Sequence, residues 1–108
     1  MTGRKIYLQP SGMLIQAICD LEELQKGKYT YSDSQSGVIH FRVRLYHNKW
    51  EFKFAVKDLG NSRSSVELAL DGREKRAERM IDREFALLDS MLTIGAEIDL
   101  EDSEDYAT

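Results

Sequence analysis

Two runs of strictly alternating apolar and polar residues, separated by a short polar step, constrain this chain more than any other feature. The apolar positions recur at every second residue and are Ile39, Phe41, Val43, Leu45, Trp50, Phe52, Phe54 and Val56. Because successive side chains of a strand point to opposite faces, this period predicts two half-buried β-strands. Such strands need a second layer over one face of their sheet, since the apolar face must be buried.

The polar step between the runs predicts a tight hairpin. It contains His47 and Asn48, and Asn tolerates the left-handed backbone of short hairpin turns. A turn at these two residues pairs Leu45 with Trp50, and the pairs further along are Val43–Phe52, Phe41–Phe54 and Ile39–Val56. A slip of one residue would turn one apolar set toward solvent, so the alternation favours this pairing.

A third alternating run, Ser65 to Asp71, follows the polar connection of residues 58–64. Connections this short cannot carry a parallel crossover, so the three strands form an antiparallel meander. Two short segments, Lys5–Gln9 and Ala96–Leu100, are further strand candidates. The sheet is therefore predicted to contain three to five strands.

Helical periodicity flanks the meander on both sides. The first helix is predicted from Ser11 to Gly27, because apolar residues recur there at helical spacing and glycine favours a helix end. The second is predicted to begin after Asp71, which forms a capping box with Glu74, and to stop at Gly95. The order β-α-β-β-β-α, with a final strand after it, predicts an α+β fold with both helices packed on one face of an antiparallel sheet.

The length of 108 residues, with 42% hydrophobic and 31% charged residues, is that of one globular domain. We assign residues 1–100 to this domain and residues 101–108 to an acidic, disordered tail. The single Cys19 excludes an intrachain disulfide and favours a cytoplasmic location. No apolar run approaches the ~20 residues that a membrane-spanning helix needs, so no membrane partner is expected.

Basic residues gather on the face of the strands that should stay exposed. They are Arg42, Arg44, Lys53 and Lys57, with His40 among them. Arginine can hold a phosphate or carboxylate with two donors, and Arg42 and Arg44 point the same way. In the predicted register Arg42 lies opposite Lys53, a like-charge pair that a sheet tolerates at a cost. This face is a hypothetical binding site for an anion, including nucleic acid.

The second helix carries an apolar arc that is wider than a three-stranded sheet can cover. Its candidate exposed residues are Met80, Leu87, Met91 and Ile94. An uncovered apolar arc is typical of an interaction surface. We therefore expect a protein partner or a second copy of the chain to pack there.

Catalytic and metal-binding motifs are absent from the sequence. Cys19, His40 and His47 lie on different predicted elements and do not form a metal site, and no cofactor is expected. The sequence favours a non-catalytic protein-interaction module that self-associates. The alternatives are a nucleic-acid-binding module that uses the basic face, and a small-molecule-binding domain with a pocket near Phe41, Trp50 and Phe54.

The charge of the chain is unevenly distributed. Residues 97–108 contain six acidic and no basic residues, so the formal net charge of −4 becomes +2 for residues 1–96. An acidic segment can compete with an anionic ligand for a basic face. In the nucleic-acid alternative, these residues would weaken binding of the nucleic acid.

Overall fold

The computed structural model describes residues 1–71 and 75–107, with side chains as far as Leu92. Its elements follow one another in the order β-α-β-β-β-β-α. They are β1 (Thr2–Tyr7), α1 (Ser11–Leu24), β2 (Lys28–Asp33), β3 (Val38–Leu45), β4 (Asn48–Gly60), β5 (Arg63–Ala69) and α2 (Lys75–Ala107). The predicted α+β class, with an antiparallel sheet and two helices, is confirmed.

The sheet contains five antiparallel strands in the order β1-β5-β4-β3-β2. The predicted meander forms its centre, and α1 connects the strands at its two edges. The edge strand β2 was not among the strands that the sequence predicted. All its residues from Lys28 to Ser32 are exposed, so the short alternation of Tyr29 and Tyr31 with polar residues marks no buried face.

The β3–β4 hairpin turns one residue earlier than predicted. Its two turn residues are Tyr46 and His47, both with positive φ, and Leu45 pairs with Asn48. Val43 therefore lies opposite Trp50, and the predicted partner of each residue is displaced by two. A displacement of two leaves every side chain on its predicted face, which is why alternation alone could not reveal it.

Both helices cover the apolar face of the sheet, and the core lies between the two layers. The rings of Phe41 and Phe52 are 5.6 Å apart at their centroids, and those of Phe41 and Phe54 are 5.7 Å apart. A side chain at Gly3 of β1 would lie 2.7 Å from Ile81 Cγ2, so glycine permits the close approach of α2. Among the described residues, no helix lies on the other face of the sheet, which we call the open face.

Helix α2 runs through Gly95 to Ala107. The final strand predicted at Ala96–Leu100 is therefore wrong, and residues 101–107, expected to form a disordered tail, continue the helix. A single glycine costs a helix only about 1 kcal/mol relative to alanine, which good helix formers on both sides can offset. Glu74 of the predicted capping box lies outside the described residues.

Candidate functional site: a basic groove on the open face

A groove of about 300 Å³ opens on the open face near the β3–β4 hairpin. All the described residues that line it are basic: Lys26, Lys28, Arg42, Arg44 and Lys49. They come from the α1–β2 connection and from three neighbouring strands. A concave surface lined by charges of one sign concentrates counterions, so this groove attracts anions.

Strand register brings these cations together. Lys28 of β2 lies opposite Arg42 of β3, and Arg44 lies opposite Lys49 of β4. Like charges directly across a strand pair are destabilising. The groove therefore accumulates positive charge although folding alone disfavours it.

Glu51 borders the groove and balances part of its charge. It lies opposite Arg42, which corrects the predicted pairing of Arg42 with Lys53. The carboxylate oxygens of Glu51 lie 3.9 Å from Arg42 NH2 and 3.9 Å from Lys53 Nζ. Exposed ion pairs at this separation contribute little to stability, so both cations remain able to bind an anion.

Lys26 has a strained backbone at the end of α1. Its φ is 55°, and its N–H donates to Glu23 O at 3.1 Å while Gly27 N–H donates to Glu22 O at 3.0 Å. This is a Schellman motif with lysine in the left-handed position that glycine usually occupies. We expected Gly27 to end this helix, but it occupies the following position.

The position of Gly27 has its own steric reason. A side chain there would lie 3.1 Å from Val43 Cγ2 and 3.2 Å from the Arg42 carbonyl oxygen. The α1–β2 connection thus passes close over β3, and glycine permits that approach. As a result, Lys26 and Lys28, on either side of Gly27, are held beside Arg42.

A part-buried polar network fixes the same connection to α2. Gln25 Nε2 donates to Glu84 Oε1 at 2.6 Å, and Arg83 NH1 donates to Glu84 Oε2 at 2.9 Å and to Gln25 Oε1 at 2.7 Å. Glu84 is fully buried, and this burial raises the pKa of its carboxyl group to about 6, while the two donors oppose the shift. The network fixes the residue that directly precedes Lys26.

Only part of the predicted basic site lies in the groove. Arg42 and Arg44 line it, whereas His40 and Lys53 form the next cross-strand pair along the sheet. Lys57 lies four residues beyond Lys53 on β4 and borders a separate polar depression. The groove residues that were not predicted as part of the basic site are Lys26, Lys28 and Lys49. Lys49 belongs to the alternating pattern of the predicted strands. The positions of Lys26 and Lys28 beside the groove depend on β2, which was not predicted.

The predicted interface on α2 is largely covered. Met80 is buried, and Leu87 and Met91 are half-buried against the core. The side chain of Ile94 lies outside those described. The prediction of an uncovered arc assumed three strands, and the five-stranded sheet buries more of the helix surface.

The aromatic residues proposed to line a ligand pocket belong to the core. Phe41 and Phe54 are fully buried, and Trp50 is half-buried with its Nε1–H donating to Leu45 O at 3.3 Å. The Arg76 guanidinium lies 5.5 Å from the Trp50 ring centroid and covers part of it. Within residues 1–71 and the described part of α2, no three His, Cys, Asp or Glu residues converge as a metal site would require.

Comparison with known proteins places the fold but no family. No protein-family model matches the chain, and no curated protein matches it. A crystal structure of the di-domain ARO/CYC StfQ from the steffimycin biosynthetic pathway matches with a TM-score of 0.50 and 12% identity, covering 94% of this chain and 46% of that one. A crystal structure of Ara h 8.0201 matches with a TM-score of 0.40 and 11% identity over 86% of this chain and 97% of that one. At this identity, the likeness to StfQ shows a shared fold alone, and this chain spans about half the length of that protein.

Proposed function

We propose that this protein is a non-catalytic module that binds a polyanion in the basic groove. The observation that carries the proposal is the convergence of five cationic side chains from three strands and one helix connection on a single concavity. Lysine and arginine side chains that neutralise several phosphates release counterions, and this release drives association. A ligand with several regularly spaced negative charges therefore fits the groove better than a single anion.

The energetics of the free protein support the same proposal. The Arg44–Lys49 and Lys28–Arg42 pairs are repulsive, and Lys26 has a backbone conformation that suits glycine. Each of these features lowers the stability of the unliganded fold. A bound polyanion would attract these cations, so its binding would offset the repulsion between them.

The two other predicted functions have less support. Met80 is buried and so is not available for self-association through α2. A small-molecule pocket would have to open among the packed rings of Phe41, Phe52 and Phe54. StfQ belongs to a biosynthetic pathway, but its likeness to this chain extends only to the fold. A cytoplasmic location, suggested by the lone Cys19, remains part of the proposal. In the part of the chain that the structure describes, neither helix has the length and apolar character needed to cross a bilayer.

Titration with inorganic polyphosphate, followed by calorimetry, tests the proposal. Five phosphate contacts predict a slope of log affinity against log salt near −3.5, or roughly a 100-fold loss between about 50 and 200 mM salt. Absence of binding at the lower salt concentration would contradict the proposed function.

A matched pair of variants locates the site. Arg44→Ala should weaken binding and reduce the magnitude of the salt slope by about 0.7, because one contact is lost. Lys57→Ala removes the same charge from the same face outside the groove and should leave the slope unchanged. Equal effects of the two substitutions would show that net charge, and not the groove, governs binding.

A further inference from the structure

We propose that the polyanion is a single strand of nucleic acid, whose bases stack on aromatic side chains at the two ends of the basic groove. This inference rests on the proposed function and names its ligand class. Tyr31 and His40 lie at one end, and Tyr46 and His47 form the hairpin turn at the other. Cations that follow the backbone and rings that receive bases are together typical of single-strand binding surfaces.

A β-bulge places Tyr31 on the open face. Tyr29 pairs with Phe41, but the register then shifts, so that Tyr31 pairs with His40. In a regular strand Tyr29 and Tyr31 would share one face, because they are two residues apart. The extra residue between them leaves Tyr29 on the helix-covered face and turns Tyr31 toward the cations. Bulges commonly re-aim a side chain in this way beside a functional site.

The Tyr31 ring is available to a ligand. Its centroid lies 5.5 Å from that of His40, with the two ring planes inclined by 47°, and Tyr31 remains 51% exposed. His40 precedes Arg42 by two residues on the same face of β3. A base stacked on Tyr31 would therefore lie directly beside the first arginine of the groove.

The hairpin turn presents a second pair of rings. Tyr46 and His47 have φ values of 52° and 66°, a left-handed conformation that such turns normally assign to Asn, Asp or Gly. Tyr46 is 67% exposed, and the Arg44–Lys49 pair lies one step along the strands from the turn. Neither turn chemistry nor burial accounts for an aromatic residue here, whereas base stacking does.

The two ring pairs and the cations between them form a continuous track. From His40 to Leu45, β3 spans about 17 Å at about 3.4 Å per residue, with Arg42 and Arg44 between, and Tyr46 follows at the turn. Bases in a duplex are already stacked on one another, so exposed rings favour an unpaired strand. An acidic peptide would use the cations and leave the rings without a role.

The decisive comparison uses two oligonucleotides of equal length and phosphate number, an oligothymidylate and an abasic strand. Fluorescence anisotropy of the full-length protein should give at least about tenfold tighter binding of the oligothymidylate, because stacking adds to the phosphate contacts. Equal affinities would overturn this inference while leaving the proposed function intact. A duplex of the same length that binds more tightly than the single strand would also overturn it. Failure of both strands and of polyphosphate to bind would contradict the proposed function itself.

Ring variants test the same inference from the protein side. The double substitution Tyr31→Ser with Tyr46→Ser should reduce the affinity for oligothymidylate to that for the abasic strand and leave the latter unchanged. The control, Tyr31→Phe with Tyr46→Phe, keeps both rings and should retain the preference for bases. Both tyrosines are more than half exposed, so the variants should unfold at the wild-type temperature. If the serine variant keeps the full preference for bases, these rings do not receive them.

Discussion

Residues on the two faces of the central strands are neighbours in the sequence. One face stabilises the fold, and the other forms the candidate binding site. Phe41 and Val43 of β3 are at most 1% exposed beneath the helices, whereas Arg42 and Arg44, which alternate with them, are exposed on the open face. The covered face provides most of the free energy of folding, since burial of apolar surface dominates stability. Because the open face contributes little, it can carry like charges that would be intolerable in the core. Stability and binding are thus separated within the same strands.

Removal of a core ring should break the covered face. Phe54→Ala is expected to lower the free energy of unfolding by about 3–5 kcal/mol, because Phe54 is fully buried and packs on the Phe41 ring. This loss is a large part of the stability of a domain of this size. Chemical denaturation monitored by circular dichroism measures it.

The control lies one residue away on the other face. Lys53→Ala should change the free energy of unfolding by no more than about 0.5 kcal/mol, because the Lys53 side chain is 38% exposed and its ion pair with Glu51 is long. Similar losses at Phe54 and Lys53 would show that the sheet is not one-sided. The open face, and every proposal that depends on it, would then be wrong.

Glu84 is a buried polar residue within the otherwise apolar covered layer. Its titration should make the stability of that layer depend on pH. Burial raises the pKa of this carboxyl from 4.5 to about 6, so the folded state holds the proton more tightly than the unfolded state. This contribution to stability is present below about pH 4.5 and is lost as the pH rises through 6. The loss amounts to about 2 kcal/mol.

The Glu84→Gln variant isolates this contribution, because the amide stays neutral at every pH. Denaturation should be measured for both proteins from about pH 4 to about pH 7. The free energy of unfolding of the wild type, minus that of the variant, should fall by about 2 kcal/mol over this range. A constant difference would mean that the Glu84 carboxyl titrates normally.

Lys26 joins the two faces, since it ends a core helix and lines the open groove. Lys26→Gly should raise the free energy of unfolding by about 0.5–1 kcal/mol, because glycine relieves the left-handed strain. The same substitution should weaken polyphosphate binding and reduce the magnitude of the salt slope by about 0.7. Opposite changes in stability and affinity are the expected result.

The matched control is Lys28→Ala, which removes a cation from the same groove at a position without positive φ. It should weaken binding to a similar extent, and the free energy of unfolding should rise only by about 0.2–0.4 kcal/mol, through relief of the Lys28–Arg42 repulsion. If Lys26→Gly destabilises the protein, or leaves polyphosphate affinity unchanged, then Lys26 is not retained for binding.

Local patterning in the sequence was sufficient to predict the α+β class and the face on which each β3 and β4 side chain lies. Period-two alternation is a property of neighbouring residues, so it assigned Phe54 to the core and Arg42 and Arg44 to the open face without knowledge of the register. The same reasoning identified two of the five groove cations. The contrast between the two faces was therefore readable from the sequence.

Long-range contacts decided the rest, because a local period does not report which residues meet. The hairpin register differed by two, which parity does not detect, and the strained turn at Tyr46 and His47 follows no ordinary turn signal. The edge strand β2 is exposed, so its short alternation of Tyr29 and Tyr31 with polar residues marks no buried face. Its bulge assigns Tyr31 to the face opposite the one that this spacing implies. Only the close passage of the α1–β2 connection over β3 brings Lys26 into the groove, and the sequence does not report which strand the neighbouring Gly27 approaches.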